Sequence, residues 1–326
     1  MNPSTPRHSR SHSPARIRAT VALLGAAFLG GALFSAPAAA QTYPDQPVRL
    51  VIPYPPGGAL SILGAIITAS AEAHLGQPML SLSRPGGGGA VGATFVAQSK
   101  PDGYTLLLGD PSINVIRPVV EKLPYNADDL VPIARITYSP FIFVSSKSAP
   151  FKTVKELVEY AKNNPGKVVY SSDNVNGWTY TAFELLKKRA GIEMRGVEFG
   201  GGGPAVTNVI GGNTMAYAGV PSVVQEHLNS GTLNALCVSD TKRYAPMPDI
   251  PTCAEAGVDV QWGAWIGVFA PKGTAPERVT KLRETFKALV EDKGFQTLAG
   301  RINADLAYLD AEEFGKTLKA DMDALR

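Results

Sequence analysis

The 326-residue chain is 44% hydrophobic and 18% charged, carries 33 glycines and 26 prolines, and has a formal net charge of +3. That is ample apolar material for a buried core and length enough for two domains, and it excludes a disordered or low-complexity chain. No apolar run reaches the roughly 18–20 residues that a membrane-spanning helix needs.

The longest apolar run comes first. Arg7, Arg10, Arg16 and Arg18 precede apolar residues 19–34, and Pro37 leads into Ala38, Ala39 and Ala40. A basic head, a short apolar middle and a small-residue A-x-A end predict a secretory signal peptide over 1–40, cleaved after Ala40. The leader takes four of the 31 basic residues and none of the 28 acidic ones, so residues 41–326 carry a net charge of −1. Such a chain lacks the concentrated basic surface that nucleic acid requires.

Beyond the leader, β-rich runs alternate with helical patterns, which argues for α/β layers with mostly parallel sheets. Strands are predicted at 48–52, 79–82 and 105–108, with helices over 60–74 and 90–99 between them. An apolar run at 141–144 leads into a helix that Thr153 and Glu156 start as a capping box, with Val154, Leu157, Val158 and Ala161 on one face. The alternation then restarts, with strands at 168–171, 197–199, 215–219 and 235–239 and helices at 181–190, 204–210 and 223–229. A second apolar run, 265–270, precedes two amphipathic helices. One starts at Thr274 with Pro276 and Glu277 in its first turn, and the other starts at Asp310.

Neither apolar run is a polar linker, so both are expected to cross between two lobes. Lobe 1 is then 41–142 plus 268–326 and lobe 2 is 143–267, with a ligand cleft between them. A serial pair of domains is the alternative.

Glycines concentrate at strand-to-helix turns: Gly57-Gly58 after the first strand, 86–89 after the second and 200–203 in the second lobe. Such turns let backbone approach a ligand and expose helix N–H groups to an anion; they also simply punctuate α/β loops. Gly87, Gly89 and Gly92 satisfy G-x-G-x-x-G, and Asp110 ends the next strand, which is the layout of a dinucleotide fold. No G-x-S-x-G elbow and no G-K-[ST] phosphate loop is present. The two histidines outside the leader, His74 and His227, are far apart, and no C-x-x-C or H-E-x-x-H occurs. No metal site, catalytic residue or cofactor is therefore expected. Cys237 falls in a predicted strand, and with Cys253 it forms either a bridge or two buried thiols.

A family resemblance accompanies this pattern. Residues 43–47 (YPDQP) and 49–58 (RLVIPYPPGG), followed by 76–78 (GQP), 84–86 (RPG), 101–107 (PDGYTLL), 122–125 (KLPY), 164–167 (NPGK), 248–252 (PDIPT), 255–257 (EAG) and 270–274 (APKGT), run in order along the chain. They resemble the Bug receptors, extracytoplasmic solute receptors of tripartite tricarboxylate transporters. The resemblance implies an α/β, two-lobed periplasmic binding protein (type II-like) with two crossing strands at the hinge. It further implies a periplasmic monomer that closes on a small organic acid and passes it to membrane transporter subunits.

Carried over from the family, the ligand residues are Tyr54, Gly57, Gly58, Ala59 and Ser61 after the first strand, and Asp110, Ser112 and Asn114 after the third. In the second lobe they are Ser172, Asn174, Trp178, Thr179, Tyr180, Phe199, Gly203 and Gly219. Several depart from the family pattern. Ser61 stands where an Asp is common, Ala65 where an Arg is, and Gly219 where an Asp is. Trp178 and Tyr180 are aromatic in a turn otherwise built of small residues, so an aromatic or bulky carboxylate is expected, stacked on Trp178. The alternative for Trp178 is packing between the lobes. Asp110 has three readings: repelling a carboxylate, binding an amine or capping the next segment. Two other function classes compete with the receptor. One is an exported enzyme on the same fold using Asp110, Ser112 or Tyr180, and the other is a sensor subunit that docks on a signalling protein.

Overall fold

In the computed structural model, residues 43–57, 59–172, 177–199 and 201–326 are described; the predicted signal peptide, Gly58 and Asn174 lie outside them. The first part of the chain forms β1 (Val48–Ile52), α1 (Ala59–Leu75), β2 (Met79–Ser83), α2 (Ala90–Ala97), β3 (Thr105–Gly109), α3 (Arg117–Val120) and β4 (Leu130–Pro140). There follow β5 (Ile142–Ser146), α4 (Val154–Asn163), β6 (Val168–Ser172), α5 (Trp178–Ala190), β7 (Met194–Glu198), α6 (Gly202–Ile210), β8 (Ala216–Gly219), α7 (Pro221–Asn229) and β9 (Leu233–Val238). The chain ends with β10 (Gly263–Pro271), α8 (Pro276–Glu291), α9 (Lys293–Arg301), β11 (Leu306–Asp310) and α10 (Ala311–Leu325).

The strands make two sheets, ordered β11-β4-β10-β3-β1-β2 and β7-β6-β8-β5-β9. In the first, β1 pairs parallel with β2 and β3, while β10 runs antiparallel to both β3 and β4. In the second, β6 pairs parallel with β7 and β8, and β5 runs antiparallel to β8 and β9. One face of the first sheet is covered by α1, α8 and α9 through Leu63, Ile67, Leu282, Phe286, Leu289 and Phe295. The opposite face carries Trp265 and Phe314 in an edge-to-face pair at 5.0 Å. That cluster continues without a break into the second sheet through Phe141, Phe143, Trp262 and Phe183.

The sequence periodicity misses β4, β11 and α9. β4 contains Pro132 and Pro140, which argue against an interior strand. The fold accommodates Pro132 at a register shift, where it faces Phe269 of β10, and Pro140 at the strand end. The α9 stretch holds two glycines and starts from Asp292, whose carboxylate accepts the Phe295 N–H at 2.8 Å. The capping box at α4 is shifted: Thr153 accepts from the Glu156 N–H, but Glu156 accepts from the Lys152 N–H.

Ser239 ties the crossing region together. Its hydroxyl accepts the Phe141 N–H at 3.0 Å and lies 2.5 Å from the Trp262 carbonyl, and its carbonyl accepts the Trp262 N–H. Cys237 and Cys253 form a disulfide. A bridge closing a loop with a sequence separation of 16 contributes about 3 kcal/mol by restraining the unfolded chain.

Candidate functional site: the facing strand ends

Register places the site. Gly109, at the end of β3, lies opposite Gly267, and β3 runs toward the Gly263 end of β10. Pro140, at the end of β4, lies opposite Gly263. One residue later β5 begins, and its Ile142 faces Gly219, the last residue of β8. The parallel strands of both sheets therefore aim their C-terminal ends at each other, roughly 20 Å apart along the crossing strands at ~3.3 Å per residue. Loops after parallel strands are where α/β sheets bind ligands.

On the first sheet, Tyr54, Asp110 and Ser112 come together. Asp110 is 2% exposed, and its Oδ1 accepts the Ile113 N–H at 3.1 Å. The Tyr54 hydroxyl and the Ser112 N–H also bond to this carboxylate. Burial pushes the Asp110 acid up to about 6, with those hydrogen bonds opposing the shift. Burial, reinforced by Asp110, pushes the Tyr54 hydroxyl up as well. Of the three roles read for Asp110, the one observed is the cap: it closes the start of the turn that carries Ser112 and Asn114.

Gly89, at φ 94°, explains part of the glycine run, since a Cβ there would lie 2.6 Å from Ile113 Cγ2 and 3.2 Å from the Tyr54 ring. Arg117 donates to the Gly87 carbonyl and pairs with Glu121 at 2.7 Å, holding the 86–89 turn from behind. The Gly57 N–H donates to Ser61 Oγ at 2.9 Å.

On the second sheet, Ser172 is buried and its carbonyl accepts the Phe199 N–H at 3.0 Å. Thr179 is buried and donates to the Ala218 carbonyl at 3.0 Å. Trp178 and Tyr180 are half-buried in the first turn of α5. Trp178 packs against the core cluster that spans both sheets, and its carbonyl accepts the Trp262 indole N–H at 3.0 Å. Phe199 is half-buried against the second sheet's own cluster, and Gly203 is exposed in the first turn of α6. A Cβ at Gly219 would sit 2.5 Å from the Tyr217 ring, and one at Gly202 would sit 2.9 Å from its hydroxyl. Tyr217 and Trp262, which thus shape this wall, carry no motif that singles them out in the sequence.

Helix starts differ by position. The N-caps of α2, α5, α6 and α7 are Gly89, Gly177, Gly201 and Val220, and none supplies a side-chain hydrogen bond to its helix. Away from the strand ends, α4, α9 and α10 are capped by Thr153, Asp292 and Asp310. At α2 the first N–H groups are taken by the Gly86 and Gly87 carbonyls, and at α7 the first residue is Pro221 and the Val223 N–H bonds to the Val220 carbonyl. The α5 and α6 starts, among the described residues, leave their first N–H groups and positive dipole ends without a side-chain cap. None of the candidate residues is basic. An anion held here rests on backbone donors and hydroxyls.

The family model described as tripartite tricarboxylate transporter family receptor matches residues 65–323. The chain belongs to this family. It is 31% identical over 270 residues to Protein BugT of Bordetella pertussis, covering 82% of this chain and 83% of BugT. Among solved structures it resembles a ligand-free TctC solute binding protein from Polaromonas, at 28% identity and TM-score 0.79, covering 86% of this chain and 97% of that one. An R. palustris protein solved with adipate matches at 28% identity and TM-score 0.69, covering 86% and 95%. The receptor fold expected from the sequence, an α/β periplasmic binding protein built on two sheets, is thus established, and so is a solute-binding role. Receptors of this family are periplasmic binders rather than enzymes. Among the described residues no helix is long and apolar enough to cross a membrane.

Proposed function

We propose that this receptor captures a small organic acid between the two sets of strand ends and delivers it to the membrane subunits of its transporter. It works as a monomer, exported by cleavage after Ala40, with lobes 41–142 plus 268–326 and 143–267 closing about the crossing strands. The observation that carries this reading is the start of α5 and α6, which face the first sheet's strand ends from Gly177 and Gly201 with no side-chain cap among the described residues, so that their N–H groups can serve a ligand. An acid's oxygens fit such donors without a cationic side chain. Adipate in the R. palustris neighbour supports the same class.

Tyr54, Gly57, Ser61, Ser112 and Asn114 line one side of the proposed site, with Asp110 holding the turn; Gly58 and Ala59 are expected there from the sequence alone. Ser172, Trp178, Thr179, Tyr180, Phe199, Gly203 and Gly219 line the other, and Asn174 is expected there from the sequence alone. Trp178 and Tyr180 favour an acid with a flat or bulky body.

Titration calorimetry of the purified receptor against aliphatic dicarboxylates, tricarboxylates, aromatic carboxylates, amino acids and nicotinamide dinucleotides tests this. Saturable binding of an acid that is recovered unchanged is expected. Binding of dinucleotide alone, or consumption of the acid, contradicts it. Trp178→Ala is expected to weaken an aromatic acid about tenfold, equivalent to ~1.4 kcal/mol, and to leave an aliphatic one nearly unchanged. Equal affinities for both in the variant and the unaltered receptor would remove the stacking role.

A further inference from the structure

The first turn of α5 is held from two sides. Thr179 Oγ1 donates to the Ala218 carbonyl at 3.0 Å, which ties the turn to the end of β8. The Trp178 carbonyl accepts the indole N–H of Trp262 at 3.0 Å, a bond between residues 84 apart in sequence. A helix end without an N-cap side chain frays, and Gly177 supplies none here. The indole offsets that loss in a particular way. It anchors the turn through a carbonyl, which has a lone pair to spare, and so occupies none of the N–H groups that a capping side chain would take.

The other end of this anchor is the junction of the two sheets. Trp262 is 2% exposed and directly precedes β10. Its N–H donates to the Ser239 carbonyl at 3.1 Å, and its carbonyl lies 2.5 Å from Ser239 Oγ. Phe141, the single residue between β4 and β5, donates its N–H to the same Oγ at 3.0 Å. Both connections between the sheets, one at Phe141 and one at Trp262, are therefore bonded to one buried hydroxyl. The Trp262 side chain carries that junction to α5.

We infer that Trp262 is a positioning residue for acid capture: it fixes the α5 start to the junction of the sheets, so that the Gly177 end of the helix moves with the crossing strands as the receptor closes. Buried behind the turn, it acts through Trp178. The inference rests on the acid site proposed above and names what aims its α5 donors.

Amide hydrogen exchange of the free receptor tests the anchor, and calorimetry with adipate and benzoate tests its use. Trp262→Phe keeps a buried ring and removes the N–H. Exchange over residues 181–185 is expected to quicken about tenfold, the equivalent of one lost hydrogen bond, while exchange in α4 stays as it was. Ser239→Ala, a smaller change that keeps the indole, is expected to move the same α5 amides in the same direction. Whichever of the two acids binds the unaltered receptor is expected to bind Trp262→Phe about tenfold more weakly. In a Gly177→Asp background, where the start is already closed, Trp262→Phe is expected to cost no further affinity. Unchanged exchange over 181–185, an equal rise in α4, or the full further loss in the Gly177→Asp background overturns the inference. Binding of neither acid by the unaltered receptor counts against the acid site instead, and the exchange measurement then decides the anchor by itself.

Discussion

Two groups of helices in this receptor start differently, with α8 outside both because it begins at Pro276 behind Ala275, which supplies no cap. On the outer surface, Thr153, Asp292 and Asp310 turn their side chains onto the first N–H groups of α4, α9 and α10, so those ends are satisfied locally. At the facing strand ends, α5 and α6 start from Gly177 and Gly201 with no side-chain cap among the described residues, while α2 and α7 satisfy theirs through the Gly86, Gly87 and Val220 carbonyls. The outer starts contribute stability. The α5 and α6 starts forgo it, and what they keep is donors that can face a ligand. The Asp110 turn, also on the inner side, is closed by a buried acid that Tyr54 covers.

The largest effect is expected where the inner wall tolerates no side chain. Gly219→Val puts a Cβ within 2.5 Å of the buried Tyr217 ring and is expected to cost ~3 kcal/mol by overpacking, measured by urea unfolding. A variant as stable as the unaltered receptor would show that Tyr217 moves aside freely.

The Asp110 turn gives a pH signature. Its folded acid, at about 6, lies above the ordinary value of 3.8. Between pH 4 and 6 the folded state therefore binds the proton more tightly than the unfolded state does. This residue's contribution to stability is most favourable at low pH and falls as pH rises through that window. Asp110→Asn is expected to gain on the unaltered receptor by up to ~3 kcal/mol between pH 4 and 7. Parallel stability–pH curves would contradict the buried, raised acid.

Outer caps are expected to give the smallest effect. Thr153→Ala and Asp310→Ala should each lose ~1 kcal/mol of stability and leave acid affinity where it was. A change of affinity on removing either cap would blur the distinction between outer and inner starts.

Much of this was legible in the sequence. The β–α alternation placed most elements, and the caps at Thr153 and Asp310 were readable because capping chemistry is local. β4 was not, because its prolines argue against a strand until the register shift opposite Phe269 is seen. The glycine turns pointed to the candidate site, yet the residues that shape them, Tyr217 and Trp262, act through contacts distant in sequence. Asp110 was ambiguous because its cap, made by the Ser112 and Ile113 N–H groups, is buried under Tyr54 from the loop after β1, a contact distant in sequence. The disulfide depended on whether β9 and the loop after it meet, which spacing alone does not determine.

The central claim is that an open helix start holds the acid, and Gly177 is the place to test it. Its φ of −82° and ψ of 178° already suit a capping side chain, so Gly177→Asp can close the α5 start without backbone strain. Calorimetry with the acid that the unaltered receptor binds is expected to show affinity reduced tenfold or more, at about 1.4 kcal/mol per decade, in a variant no less stable. Unchanged affinity in a folded Gly177→Asp receptor would contradict the account.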